Sequence, residues 1–319
     1  MQEVRIGGVT SADVVSSNDV STPATKGGRR RRRGQLWAYG YMAPALVMLG
    51  LVFAYSLYQV VKYSFYAGGV GQLTWVGTSN YKDLLIDPQF MSSMFNNFKL
   101  LIVVPIVTSL SLIVSLIINT SFRGIRKYRA ILFVPYILPA VAMGLSFSYL
   151  LQGNGILDSF LTNVHLSGLI HDWLGSPSWV IFSIGGVIVW QQFGFGVVVF
   201  SAALLAVPQE MIEAARIDGA GWWVIQRRIL VPQIIRIIEF FVILQSINML
   251  SSVFTYVYVL TGGGPAYASS VLEFFIYQNG FENGSIGIAS AAAVALLALA
   301  SIFIALYIWA RARSAKAPH

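Results

Sequence analysis

The chain has no cysteine. That excludes a disulfide framework and any thiolate metal site, and it leaves the redox compartment open. Charge is scarce as well. Only 11% of the 319 residues are Asp, Glu, Lys or Arg, against 56% hydrophobic residues, and the mean hydropathy is +0.69. A soluble domain carries roughly 25% charged residues. A chain this poor in charge cannot cover its surface with polar groups, so its solvent is largely lipid. Catalytic signatures are also missing: there is no P-loop lysine motif, no His-Glu-x-x-His and no Gly-x-Ser-x-Gly. ATP hydrolysis by this chain is therefore not expected. The apolar stretches hold no paired carboxylates for acid–base work. These absences argue against a membrane-embedded enzyme.

What is present is a series of long apolar runs. A membrane-spanning helix needs about 20 apolar residues. Six stretches qualify, at 39–61, 98–118, 130–151, 180–206, 237–260 and 288–310. The chain is thus predicted to be an all-α polytopic membrane protein with six transmembrane helices. Pro44, Pro105, Pro135 and Pro139 fall in or near these runs. Membrane helices tolerate such breakers when neighbours re-satisfy the freed backbone, so kinks are expected at Pro135 and Pro139. A polar tail precedes the first run, to about Gln35. It has no apolar periodicity and is expected to be disordered. It ends in Arg29-Arg-Arg-Arg-Arg33. The run that follows is too long for a signal peptide and no small-residue cleavage site ends it, so a retained helix is expected. The arginines are read as a topology anchor rather than a specific site for anionic lipid.

The placement of charge orients the chain. Eighteen of the 21 Lys and Arg fall in the two tails, in 121–129 and in 207–236; only Lys62, Lys82 and Lys99 fall on the other side. By the positive-inside rule, both termini and the loop around Glu213 are cytoplasmic. The net charge of +8 is thereby explained by topology and implies no nucleic-acid partner. On the outer side, His165 and His171 lie six residues apart among Asp158 and Asp172. That spacing suits no metal-ligand pair, so they are read as loop residues.

One polar island separates the fourth and fifth runs: Glu213-Ala-Ala-Arg-Ile-Asp-Gly219, continuing to Ile229-Leu-Val-Pro232. Pro208 suits the first position of a helix, and Glu210 suits the first turn, where its charge favours the dipole. Gly219 is placed to close that helix in a left-handed conformation. A second short helical stretch, 222–228, is expected to stop near Pro232. Two small residues, one acid and a basic flank make a surface suited to a partner's groove.

The spacing Glu213-Ala-Ala, three residues, Gly219, nine residues, Ile229-x-Val-Pro232 resembles the EAA loop of ATP-binding-cassette importer permeases, with Val231 where that family usually carries Leu. Thr261-Gly-Gly-Gly-Pro265 is a sharp, permissive turn by residue type. It is similar to the turn after the fifth core helix in the first permease subunit of carbohydrate-type importers, the maltose, multiple-sugar and glycerol-phosphate group. The resemblance runs from 36 to 313. The chain lacks the extra amino-terminal helices and the external domain of the maltose subunit. The resemblance implies a type I importer permease fold with a cytoplasmic coupling helix, in the cytoplasmic (inner) membrane of a bacterium. It implies a basic tail at 1–35, a permease domain at 36–313 with its coupling loop at 207–232, and a short tail at 314–319. Glu213, Ala214, Ala215, Asp218, Gly219 and Pro232 would carry ATPase coupling. The implied partners are a second permease, an ATPase dimer holding ATP and Mg, an extracytoplasmic solute-binding protein and membrane lipid. The chain itself would bind no cofactor.

A solute pathway shows as polar and aromatic groups inside apolar runs. The fourth run holds Trp190, Gln191, Gln192 and Phe195. The fifth holds Gln245, Asn248 and Ser252, at helical offsets 0, 3 and 7 and so on one face. Amides suit sugar hydroxyls, and aromatic faces suit a pyranose. The same groups also serve as bonds between helices, and both readings stand at this stage. Glu239 is expected to pair with Arg236 or with another helix. A stand-alone secondary transporter is the rival class. It would need inverted repeats, and no matching halves are evident.

Overall fold

The computed structural model describes residues 28–69, 71–121 and 125–314. The tail before 28, most of the predicted disordered segment, and residues 315–319 lie outside the described residues. Residues 1–56 and 57–319 form two compact units. The described part of the first belongs to α1 (Gly28–Tyr63), which starts inside the tail expected to reach Gln35. Arginine is a good helix former, so the basic run joins the helix. Pro44 lies within α1 without ending it.

The second unit opens with a two-stranded antiparallel hairpin, β1 (Tyr66–Ala67) and β2 (Thr74–Trp75), with Tyr66 opposite Trp75. Then come α2 (Ser79–Ile86), α3 (Pro88–Leu100), α4 (Val103–Ser121), α5 (Ile125–Ile137), α6 (Ala140–Leu150) and α7 (Ile156–Asn163). The long α8 (Val180–Leu205) leads to α9 (Gln209–Ile217), α10 (Trp222–Ile225) and α11 (Val231–Gln233). The chain closes with α12 (Ile235–Ser251), α13 (Phe254–Leu260), α14 (Leu272–Tyr277) and α15 (Ile286–Ser314). Asp87 starts α3 by local chemistry: its carboxylate accepts from the N–H groups of Gln89 and Phe90, with Pro88 at the first position.

Among the described residues, four stretches are long and apolar enough to cross a bilayer: Tyr41–Tyr63, Pro88–Asn119, Val180–Leu205 and Ile286–Trp309. Two further candidates are bent pairs: Lys127–Ile137 with Ala140–Leu150 at 90°, over the third predicted run, and Trp222–Gln233 with Ile235–Ser251 at 68°, of which only the second helix lies in the fifth. Pro135 does not end α5, which runs through it to Ile137. The break between the two helices falls at Leu138 and Pro139, where Pro139 is extended (ψ 136°). A residue before proline avoids the helical region, and proline offers no N–H, so the chain turns there.

The fifth run also departs from the expected 237–260. Helix α12 ends at Ser251, and α13 resumes at Phe254. The helical stretch from Trp222 does stop near Pro232, as expected. Pro232 sits in the first turn of α11, and the break comes at Ile234. Pro208 lies one position earlier than expected, as the N-cap of α9.

The core lies where α4 packs on α8: Val103, Val104 and Val107 meet Ile184, Val187 and Ile188, all buried. Apolar contact alone gives helices little preference over lipid, so hydrogen bonds and close approach matter. Ser111 donates to the Phe193 carbonyl at 2.8 Å, and Ser115 donates to the Val197 carbonyl at 3.1 Å.

Candidate functional site

The loop around Glu213 is built locally. The Gly219 N–H donates to the Arg216 carbonyl at 3.1 Å, and the Ala220 N–H donates to the Ala215 carbonyl at 2.9 Å. Gly219 has φ +79°. That is the Schellman close, in which a glycine takes the left-handed position and two orphan carbonyls are satisfied. Asp218 is the C-cap. Ile212 turns inward to pack with Leu116, Leu204, Ile225, Leu230 and Ile234. This seats α9 against the ends of α4 and α8. The opposite face is bare: Glu213, Ala214, Asp218 and Gly219 are exposed, and Ala215 is half-buried. Ile217 is 87% exposed. Sequence reasoning had passed it over, although an isoleucine within a polar island is itself a signal. Pro232 is exposed, at the far side of the loop.

The solute-pathway candidates divide. Gln191 is buried and fully engaged. Its Nε2 donates to the Leu138 carbonyl at 2.8 Å, and its Oε1 accepts from the Tyr256 hydroxyl. Leu138 is the residue at the 90° bend, so Gln191 satisfies a carbonyl that the bend set free. It is a bond between helices. Ser252 lies past the end of α12, so it does not share the helical face of Gln245 and Asn248. Those two are joined, Asn248 Nδ2 donating to Gln245 Oε1 at 3.2 Å. The Gln245 Nε2 and the Gln192 Oε1 are buried without a partner among the described residues. Trp190 is edge-on to Phe147, with centroids at 5.4 Å. Phe195 stacks on Tyr136 at 4.7 Å and 13°.

At the carboxyl end of α12 lies a polar knot that sequence reasoning missed. Asn97 accepts from the Leu272 N–H at 2.9 Å and donates to the Met249 carbonyl at 3.4 Å and to Glu273 at 3.5 Å. Glu273 accepts from the Val253 N–H at 3.2 Å, which caps the start of α13. Burial holds the Glu273 carboxyl above the usual carboxylate range, against the pull of its hydrogen bonds. Ser93 and Ser270 bond each other at 2.7 Å. The pair Asn96-Asn97 at the head of an apolar run was the available signal. Nearby, Thr261 to Pro265 forms the expected turn, with Gly262 and Gly263 at positive φ and Ser269 donating to the Gly264 carbonyl at 2.6 Å.

The remaining candidates have structural partners. Asp158 accepts from Trp173 Nε1 and from the Asn154 N–H, each at 2.9 Å, and His171 stacks on Trp179 at 4.3 Å. Glu239 pairs with Arg311 of α15 at 2.7 Å rather than with Arg236.

A capped helix exposed beyond the ends of long apolar helices, on a fold with two bent helix pairs, defines the class as a helical membrane protein. Residues 126–315 match the family model of the binding-protein-dependent transport system inner membrane component. The chain belongs to that family. It is 31% identical over 273 residues to the probable ABC transporter permease protein YurN of Bacillus subtilis, covering 81% of this chain and 90% of that one. It is 34% identical to the alpha-glucoside transport system permease protein AglF of Rhizobium meliloti, covering 81% of this chain and 77% of the relative. A chain in the crystal structure of a bacterial ABC transporter involved in the import of the acidic polysaccharide alginate shares the fold. The TM-score is 0.76 at 21% identity, over 89% of this chain and 98% of that one.

Proposed function

We propose that this chain is the permease subunit of an importer for a sugar or related polar solute, with the loop at 207–232 docking on a separate ATPase. The observation that carries this reading is α9, seated through Ile212 on the ends of α4 and α8 while Glu213, Ala214 and Ile217 stand free. Movement of α9 is thereby passed to two long helices. In this reading the four long stretches, the bent pair over 127–150, and α12 with α13 over 237–260 make six spans, and 222–233 stays with the docking loop. Both termini and α9 lie in the cytoplasm, residues 36–313 form the permease domain, and the end segments are tails. A second permease completes the pore, two ATPases hold ATP and Mg, and a binding protein delivers solute from outside. Closure of the ATPases moves α9 and switches the pore between its two openings.

The sugar class is supported by the relative named for alpha-glucoside transport. It is supported too by the buried amide atoms of Gln192 and Gln245 that have no partner among the described residues. Asn248 joins that set. Gln191 and Ser252 do not, for the reasons given above. The test is uptake of a panel of sugars and glycerol phosphodiesters by a strain deleted for this gene and complemented with it. Uptake of one of these that requires ATP and a co-expressed ATPase is the expected result. Uptake without any ATPase would establish the secondary transporter instead.

A further inference from the structure

Behind α9 lies a cavity of about 470 Å³. Leu204, Leu205, Ile212 and Leu230 give it an apolar wall, and Arg216 and Gln226 give it polar groups. Gln226 is only 2% exposed, and neither end of its amide has a partner among the described residues. A buried primary amide with no partner is rare and costly, and it points to a ligand that the free chain lacks. Its position is also unusual. Residues Gln226–Leu230 form a π turn, a local widening that concentrates at functional sites. The turn buries Gln226 at the cavity wall and leaves Arg227 and Arg228 exposed. Arg216 has no ion-pair partner among the described residues.

We propose that this cavity binds the headgroup of an anionic phospholipid from the membrane leaflet on the loop's side. A phosphodiester oxygen suits the Arg216 guanidinium, and glycerol hydroxyl and ester groups suit the donor and acceptor of the Gln226 amide. The apolar wall selects a lipid over a free anion, which would leave that wall wet. Leu205, at the end of α8, is 65% exposed and extends the wall outward for an acyl chain. Trp222 lines the cavity beside Trp223, which is 76% exposed, and their rings meet edge-on at 4.6 Å. Paired tryptophans at the end of spanning helices belong at the headgroup level. The bound lipid joins α9 to the π turn, so the coupling helix is held in place partly by the membrane. This inference rests on the membrane placement of the loop proposed above, and not on the solute class.

The experiment uses the whole complex in nanodiscs of phosphatidylcholine, with and without a photoactivatable phosphatidylglycerol. Crosslinks are mapped by mass spectrometry. Phosphatidylglycerol is expected to label residues 204–230 in preference to an equally reactive phosphatidylcholine. Gln226→Leu is expected to weaken that labelling about fivefold, the usual worth of a hydrogen bond between neutral groups. If this variant does not assemble with the ATPase, Arg216→Gln is read in its place, with the same expectation. Equal labelling by the two lipids, or labelling unchanged in the variant that assembles, overturns the proposal. So does competition by inorganic phosphate on the wild-type complex, which would make the cavity a site for a soluble anion. A failure of the coupling reading shows separately, as ATPase co-purification that does not depend on Glu213.

Discussion

Asn97 has no exposed surface and ties three elements together, bonding Leu272, Met249 and Glu273. Asn97→Ala leaves the Leu272 N–H and the Glu273 carboxylate short of partners in a buried place. The loss is expected to be about 2–3 kcal/mol, read as a lower thermal midpoint of the purified complex. Glu273 makes a prediction about pH. Its carboxyl titrates above the usual range because burial disfavours the charge. The folded form therefore holds a proton that the unfolded form has released. This contribution to stability is complete below the ordinary carboxylate range and is lost as pH rises through the raised value. Melting across acidic to neutral pH is expected to show that decline, and Glu273→Gln is expected to flatten it. A decline of the same slope in the variant would assign it to other groups. At Gly219 the cost is of the backbone alone, since a Cβ there meets no atom within 4 Å. Gly219→Val is expected to cost about 1–2 kcal/mol from the left-handed φ, and Gly219→Asn less. Glu213→Ala leaves folding intact because the residue is exposed. It is expected to lower ATPase co-purification and uptake at matched membrane abundance.

Between elements, the contact of α5 with α8 depends on Gly194. A Cβ there would fall on the carbonyl oxygen of Leu132 in α5. Backbone cannot move aside as a flexible side chain can, so Gly194→Ala is expected to part α5 from α8 and abolish accumulation in the membrane. Gly186, two turns earlier on α8, has open space at the same point. Gly186→Ala is expected to stay within about 0.5 kcal/mol of wild type. Equal abundance of the two variants would show that this crossing tolerates a wider spacing. The bend at Leu138 is a matter of the same scale. Proline starts it, and Gln191 of α8 receives the freed carbonyl.

For the whole molecule, the asymmetry of Lys and Arg makes a prediction about orientation, with both termini and α9 on the cytoplasmic side. In intact cells, cysteines placed at Ser167 and Gly284 are expected to react with an impermeant thiol reagent, and one at Arg126 is not. Reaction at Arg126 but not at Ser167 would invert the chain and remove α9 from the side where ATP is found. The two ends of the helix bundle are already sorted by contact. Leu116, Leu204 and Ile234 gather with α9, whereas Asn97, Val253 and Glu273 gather at the opposite ends of α4 and α12.

Composition and local motifs determined the membrane class, the long helices and the capped helix at Glu213. Each rests on causes within one run of chain: apolar length, a proline, a glycine that must be left-handed. The close at Gly219 was legible for that reason, and so was the turn at Thr261. The tertiary structure decided where two of the predicted spans break and which polar residues are bonds rather than pathway. Gln191 and Gln245 look alike as amides in apolar runs. One has both ends engaged by residues 53 and 65 positions away, and the other has an end left free. In lipid, no water can satisfy a backbone group that a break sets free, so a distant side chain must do so. Which side chain does is fixed only when the helices are packed.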